Sequence, residues 1–216
     1  MTTFEKNTQT RVRRMPERGS YDSATIYPIV DEALYCHVGF VEDGMPFVIP
    51  TIHARMGDAL ILHGAKASRM LKHMASGEPL CVTVTLLDGL VVARSTFDSS
   101  MNYRSAVLFG TGQLIEDAAD KLRALEALTE HLIRGRWQES RQPHPKELDA
   151  TAVVAMTIDN ASAKIRTGPP HDEPDDYALP LWAGVIPIQQ HYLAPIDDPE
   201  LRAGIAVPEN VKHYQR

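Results

Sequence analysis

The sequence predicts a mainly β protein with attached helices, built as an antiparallel barrel, and three observations carry that expectation. About seven short strand-like segments follow one another through tight Asp-Gly and Gly-Asp turns, and only two substantial helices interrupt them. There is no alternation of strands with helices and no Gly-x-Gly-x-x-Gly stretch, so a doubly wound nucleotide fold is not indicated. Closing such a barrel should remove the exposed strand edges that invite unwanted pairing.

Taken in order, Asp22 and Ser23 stand where they can cap a helix whose apolar residues Ile26, Ile29, Val30, Ala33 and Leu34 recur at helical spacing, with Pro28 keeping it short or bent. Residues 34–42 and 46–56 form a hairpin around Asp43-Gly44, a pair that readily adopts positive φ. Gly57-Asp58 then leads to a third strand at 59–63. A short amphipathic helix is expected over 68–74, stopped by Gly77 and Pro79. Residues 80–87 and 90–97 read as a hairpin around Asp88-Gly89, and 103–116 as a long strand in which Gly110 and Gly112 permit a bulge or sharp curvature. The strongest helix is expected over 117–134, with Leu122, Leu125, Leu128 and Leu132 as its apolar stripe. Residues 135–149 read as an irregular connection, 152–158 and 162–166 as strands, 168–176 as an acidic Pro-rich loop, and Leu181-Trp182 as the centre of a last strand.

Composition narrows the function classes. The chain is 44% hydrophobic and 23% charged, and no apolar run approaches the roughly 20 residues of a membrane span, so a soluble, cytoplasmic protein without a membrane partner is expected. Arg11, Arg13, Arg14 and Arg18 are not followed by the apolar stretch of a secretory leader. A net charge of −6 argues against a general nucleic-acid binder, and the arginines are read as a solvated or inter-subunit arm. Cys36 and Cys81 each lie in an apolar segment and are expected as buried free thiols; no spacing suggests a metal site. His37 and His53 are read as structural strand histidines.

Two clusters could carry chemistry. His63-Gly64-Ala65-Lys66-Ala67-Ser68-Arg69 joins a strand end to a helix start and offers two cations, a hydroxyl and free backbone N–H groups, which is equipment for an anion such as phosphate. Ser100-Met101-Asn102-Tyr103-Arg104-Ser105 crowds polar groups at the entry of a long strand. Lys164 and Arg166 alternate on one strand face and are read as surface residues, with reach toward a flavin or a substrate anion as the alternative.

The order of these two clusters within the strands and the short helix resembles the flavin-nucleotide-binding branch of the pyridoxamine 5′-phosphate oxidase-like superfamily, and is similar to nitroimidazole-resistance proteins, over about Arg13 to Ile188. The resemblance implies an FMN-binding split β-barrel at residues 23–188, flanked by an arm at 1–22 and an extension at 189–216, working as a homodimer with flavin at the interface. Ser68 and Arg69 match the start of the family's Ser-Arg-Lys phosphate motif; Met70 replaces its lysine, and Lys66 would compensate from the loop. Where the oxidases carry two basic residues on a strand, this chain has Pro46-Phe47-Val48-Ile49-Pro50-Thr51. The residues implied to contact FMN are Val48, Ile49, Pro50, Thr51, His63, Gly64, Lys66, Ser68, Arg69, Asn102, Tyr103, Arg104, Ser105 and Trp182, with His63 as the candidate for proton transfer. Leu181-Trp182-Ala183-Gly184 resembles the family's Phe-Trp-x-Gly, but Val185-Ile186-Pro187-Ile188 follows instead of the residues that hold vitamin B6. The expectation is therefore an FMN-dependent oxidoreductase acting on another small molecule. The alternatives are a flavin-binding protein for storage or sensing, and a haem-binding split barrel, for which no histidine stands out as ligand.

Overall fold

The computed structural model describes residues 2–215. After a two-residue strand β1 (Gly19–Ser20), helix α1 (Ser23–Glu32) begins behind Asp22 and buries Ile26, Ile29 and Val30. Pro28 lies inside it and removes one N–H from the helical ladder. Strands β2 (Tyr35–Glu42) and β3 (Met45–Ile52) form the expected hairpin, with Asp43 and Gly44 at φ of 51° and 74°. The expected second arm of that hairpin breaks at His53, which is fully buried with Nε2 3.0 Å from the Val30 carbonyl oxygen. The chain resumes as β4 (Ala54–Met56), turns at Gly57 and returns as β5 (Ala59–Ala65).

Helix α2 (Arg69–Ala75) follows, placing Met70, Leu71 and Met74 in the core. Next come two long strands, β6 (Pro79–Val92) and β7 (Ser100–Leu114). The hairpin expected at Asp88-Gly89 is absent: β6 continues straight through, and the pair produces a register shift against β7 between Leu87 and Gly89. An Asp-Gly pair fits a bulge as well as a turn, and here Asp88 is held in the strand by Arg104 of β7.

Helix α3 (Ala118–Leu132) is capped by Asp117, whose carboxylate accepts from the N–H groups of Ala119 and Asp120 at 3.0 and 2.9 Å. Its fully buried residues are Lys121, Ala124 and Leu128; of the expected leucine stripe Leu128 is buried, and Leu122, Leu125 and Leu132 are half-buried, as the helix covers Ile61 of β5 and Val153 of β8. The connection expected to be irregular contains two short helices, α4 (Arg136–Glu139) and α5 (Pro145–Ala150). At the start of α5 the Glu147 carboxylate accepts from the His144 N–H at 2.8 Å and pairs with Arg141, which together hold it at a pKa of about 2. Strands β8 (Thr151–Thr157) and β9 (Asn160–Arg166) follow; the last strand, β10 (Gly184–Pro187), lies just after Leu181-Trp182 rather than on it. A short α6 (Glu209–Lys212) closes the chain.

The strand order is β3-β2-β6-β7-β8-β5-β4, with β9 and β10 on the other edges of β7 and β6 and every pairing antiparallel. The two ends of this path, β3 and β4, are consecutive in the chain but do not pair, so the barrel is split, as the family resemblance implied, and the full closure expected from the strand pattern does not occur. Pro46 and Pro50 stand on the open edge strand, where a missing N–H blunts further pairing. The curvature comes from β7, which pairs with β9 up to Phe109 and with β8 from Gly112. At the crossing point a Cβ on Gly110 would sit 1.8 Å from the Thr157 carbonyl oxygen, so only glycine lets the strands pass this closely. Inside lie Leu60, Leu62, Leu71, Met74, Val82, Leu108 and Met156, with α1 and α2 plugging the barrel.

Candidate functional site

The end of β5 and the start of α2 bring the first cluster together. Ser68 caps α2 and accepts from the Leu71 N–H at 3.5 Å, a long bond that leaves its hydroxyl adjustable. Lys66 donates to Asp149 at 2.8 Å, and Arg69 meets Glu42 at 3.0 Å while its guanidinium lies 4.6 Å from the Phe47 ring centre. Lys66, Asp149 and Arg69 are well exposed and Glu42 partly so, and pairs open to solvent in this way contribute little stability and exchange partners readily. Both cations are therefore free to turn to an anion. Gly64 is tight beneath Leu71, where a Cβ would come within 3.1 Å of its Cδ1.

His63 projects from β5 opposite Val153. Its Nδ1 is covered and has no hydrogen-bond partner among the described residues, and burial lowers its pKa from the ordinary 6.5, so the ring is neutral at neutral pH. Val48 and Pro50 face outward from β3, Ile49 packs on the core, and Thr51 is half-buried beside Cys36. The Cys36 thiol is itself buried and pushed up to about 12, and Cys81 is likewise raised; both are free.

The second cluster lies elsewhere. Asn102 is buried, accepts from Arg166 and donates to the Gly168 carbonyl at 3.1 Å; Ser105 donates to the Lys164 carbonyl at 3.1 Å. Arg166, expected at the surface, is thus drawn inside to order the strand entry. Tyr103 is half-buried on the same strand. Arg104 is gripped by Asp88 at 2.8 and 3.0 Å and by Glu32, whose carboxylate contacts it twice, and these partners raise its pKa further. The register Pro50–His37–Thr83–Val107 puts β2 and β6 between β3 and β7. Three strand spacings of about 4.8 Å thus separate Val48 to Thr51 of β3 from the second cluster on β7, whereas the first cluster, at the end of β5, is linked to β7 through β8. Trp182 is exposed at the mouth of β10, its ring lying over Gly184.

Sequence reasoning missed a third feature. A cleft of about 670 Å³ opens beside the β2–β3 hairpin, lined largely by apolar groups including Phe40, Phe47, Val48, Leu80 and Phe109, with His73 of α2 in its wall. Arg69, Phe47, Phe40 and His73 form a row of planar groups, with successive separations of 4.6, 5.4 and 4.8 Å. The His73 Nε2 is covered and has no hydrogen-bond partner among the described residues. The signal available in the sequence was the four-residue spacing of Arg69 and His73, which places them on one face of the helix. A fourth feature is an acidic trio, Asp98, Asp172 and Asp176, whose carboxylates approach within 4.8 Å. Asp172 there accepts from the Arg94 and Ser95 N–H groups at 2.6 and 3.2 Å and pairs with the Arg94 side chain, an arrangement that pins the loop after Gly168 to the end of β6.

Residues 22–165 match the family model described as pyridoxamine 5′-phosphate oxidase. The structure is similar to that of the flavocytochrome Anf3 from Azotobacter vinelandii, with 42% identity, a TM-score of 0.90 and coverage of 95% of both chains. It is also similar to a FAD and haem binding protein from Mycobacterium smegmatis, with 41% identity and a TM-score of 0.86 over 90% of this chain and 95% of that one. A protein from Bacteroides thetaiotaomicron described in connection with 5-nitroimidazole antibiotic resistance shares the fold at 23% identity and a TM-score of 0.58, over 68% of this chain and 86% of its own. No curated protein sequence matches.

Proposed function

We propose that this chain, which belongs to the pyridoxamine 5′-phosphate oxidase-like family, is an oxidoreductase that holds a flavin nucleotide and, beside it, a haem. The observation that carries the reading is the apolar cleft with His73 in its wall. Two solved structures that share 42% and 41% of their residues with this chain are named for a flavocytochrome and for FAD and haem binding, and this cleft fits the second of those cofactors. A haem needs an apolar slot and an imidazole nitrogen not already engaged, and the covered Nε2 of His73, without a hydrogen-bond partner among the described residues, meets the second need.

The flavin fits the first cluster. Lys66 and Arg69 would leave Asp149 and Glu42 for its phosphate, Ser68 would donate to the same group, and Val48 to Thr51 would form the apolar bed for the ring. Bound, a flavin supplies hydride and single-electron chemistry and a haem single-electron chemistry, while the protein orients them and excludes water. His63 is held neutral by burial, so it can accept a proton near the ring. The separation of Val48 to Thr51 from Asn102 to Ser105 within one chain supports a homodimer in which Asn102 to Ser105 of one subunit complete the site on the other. The apolar Val185 and Ile186 of β10 favour a substrate other than a B6 phosphate ester. We take the flavin to be FAD, where the family resemblance implied FMN.

The test is to release the cofactors from the purified protein and identify them by mass. FAD together with haem is the expected result. A protein that contains neither, after expression with haem precursor supplied, overturns the reading, and flavin without haem overturns its haem half.

A further inference from the structure

We infer that a second anion site, for a phosphate group, lies on the far side of α2 from the cleft, in a pocket of about 370 Å³ lined by Lys66, Lys72, Lys121, Glu116 and Asp149 over an apolar floor. Lys121 carries the argument. Its side chain is only 8% exposed, yet its ammonium makes one hydrogen bond, to the Leu148 carbonyl oxygen, and pairs with no carboxylate among the described residues. Asp149, the acid within electrostatic reach, is already bonded to Lys66.

The position compounds the cost. Lys121 lies in the first turn of α3, fifteen residues long, where the aligned peptide dipoles disfavour a positive charge. Burial and the nearby Lys66 charge both lower its pKa. An apolar side chain would fill the same place beside Ala124 and Leu128 without these penalties; the ammonium, held by the Leu148 carbonyl in the pocket lining, instead stands where it can meet an anion. Lys72, in the last turn of α2, enters the same pocket with no partner among the described residues. Three lysines against Glu116 and Asp149 leave the pocket with a positive surplus, and the floor of Leu71, Leu114 and Ala152 can take an aromatic or aliphatic group attached to the phosphate.

Phosphate at this place has two sources. The loop carrying Lys66 is shared with the flavin cluster, so the adenylate half of FAD can extend over it into the pocket; this source rests on the function proposed above. Otherwise a separate phosphorylated molecule occupies it, held by Lys121 and Lys72 while Lys66 stays on Asp149, and Arg69 and Ser68 alone hold the flavin phosphate.

The experiment compares the protein as purified with Lys121→Met and Lys72→Ala, the latter on the surface of α2 and therefore safe for folding. Two quantities are read: flavin dissociation on dilution, followed by fluorescence, and ADP binding by calorimetry. If the adenylate of FAD fills the pocket, the wild type ignores ADP and both variants release flavin roughly tenfold or more readily. If the ligand is separate, the wild type binds ADP, both variants lose that binding by a similar factor, and flavin is retained equally. A wild type that ignores ADP, together with variants that keep their flavin unchanged, would overturn the site, as would ADP binding that survives both substitutions. Should the preparation hold no flavin, the ADP measurement alone decides.

Discussion

Lys66 and Arg69 are each engaged by an exposed carboxylate, at 2.8 and 3.0 Å, so an incoming phosphate replaces weak partners rather than breaking buried ones. Replacing both with alanine is expected to weaken flavin retention by roughly tenfold to a hundredfold while the thermal midpoint stays within a few degrees; unchanged retention would remove them from the site. His63 makes a separate prediction. Its folded pKa is lowered by burial, so below pH 6.5 the unfolded chain binds more protons at this position and stability falls with acid. His63→Gln is expected to flatten the pH dependence of the unfolding midpoint between about pH 5 and 7; an identical profile would show that burial of this ring is not felt. At this scale the sequence was informative about cations at a helix start, because residue type and position suffice for that chemistry. It was silent on Lys121 and His73, whose meaning lies in what covers them and in what fails to pair with them.

Among the elements, β7 shows how a single residue shapes the site. Gly110 lets the strand pass from β9 to β8, and a methyl group there would need the Thr157 carbonyl to move. Gly110→Ala is expected to destabilise by about 3 kcal/mol or more in chemical denaturation, the upper range of overpacking effects, and a cost under about 1 kcal/mol would mean the crossing is soft. The curvature here was legible, since glycine in a long strand signals a bend or close approach. Asp88-Gly89 misled because the pair suits both a turn and a bulge, and the choice is made by Arg104 from a neighbouring strand. The loop after Gly168 offers an acid test. Burial disfavours the Asp172 carboxylate, but the N–H groups of Arg94 and Ser95 and the Arg94 side chain outweigh it and lower its pKa. The pin is therefore in place above the ordinary Asp range and is lost as pH falls through the lowered value. Trp182 fluorescence in a Trp137→Phe background should change in that acid window and show the change already at neutral pH in Asp172→Asn; a signal insensitive to both would dissociate the pin from the mouth of β10.

The molecule as a whole is a split barrel whose ends, β3 and β4, never meet, and β3 leaves Val48 and the neighbouring Val41 and Tyr35 of β2 exposed. The antiparallel character and the strand sequence followed from period and turn residues. The opening did not, because whether two chain-adjacent strands pair is decided by the His53 break between them. The separation of Val48 to Thr51 on β3 from Asn102 to Ser105 on β7 by β2 and β6 is likewise a property of topology, and it gives the proposed dimer its reason. Sedimentation should report twice the 24.0 kDa of one chain; a monomer that retains flavin would refute a site shared between subunits. The most direct measurement for the account is the absorption spectrum of the protein beside that of His73→Ala, both expressed with haem precursor supplied. Flavin bands with a Soret band in the wild type, and flavin bands with the Soret lost or displaced in the variant, are the expected result. A wild type without a Soret band, or a variant whose Soret is unchanged in position and intensity, would contradict it.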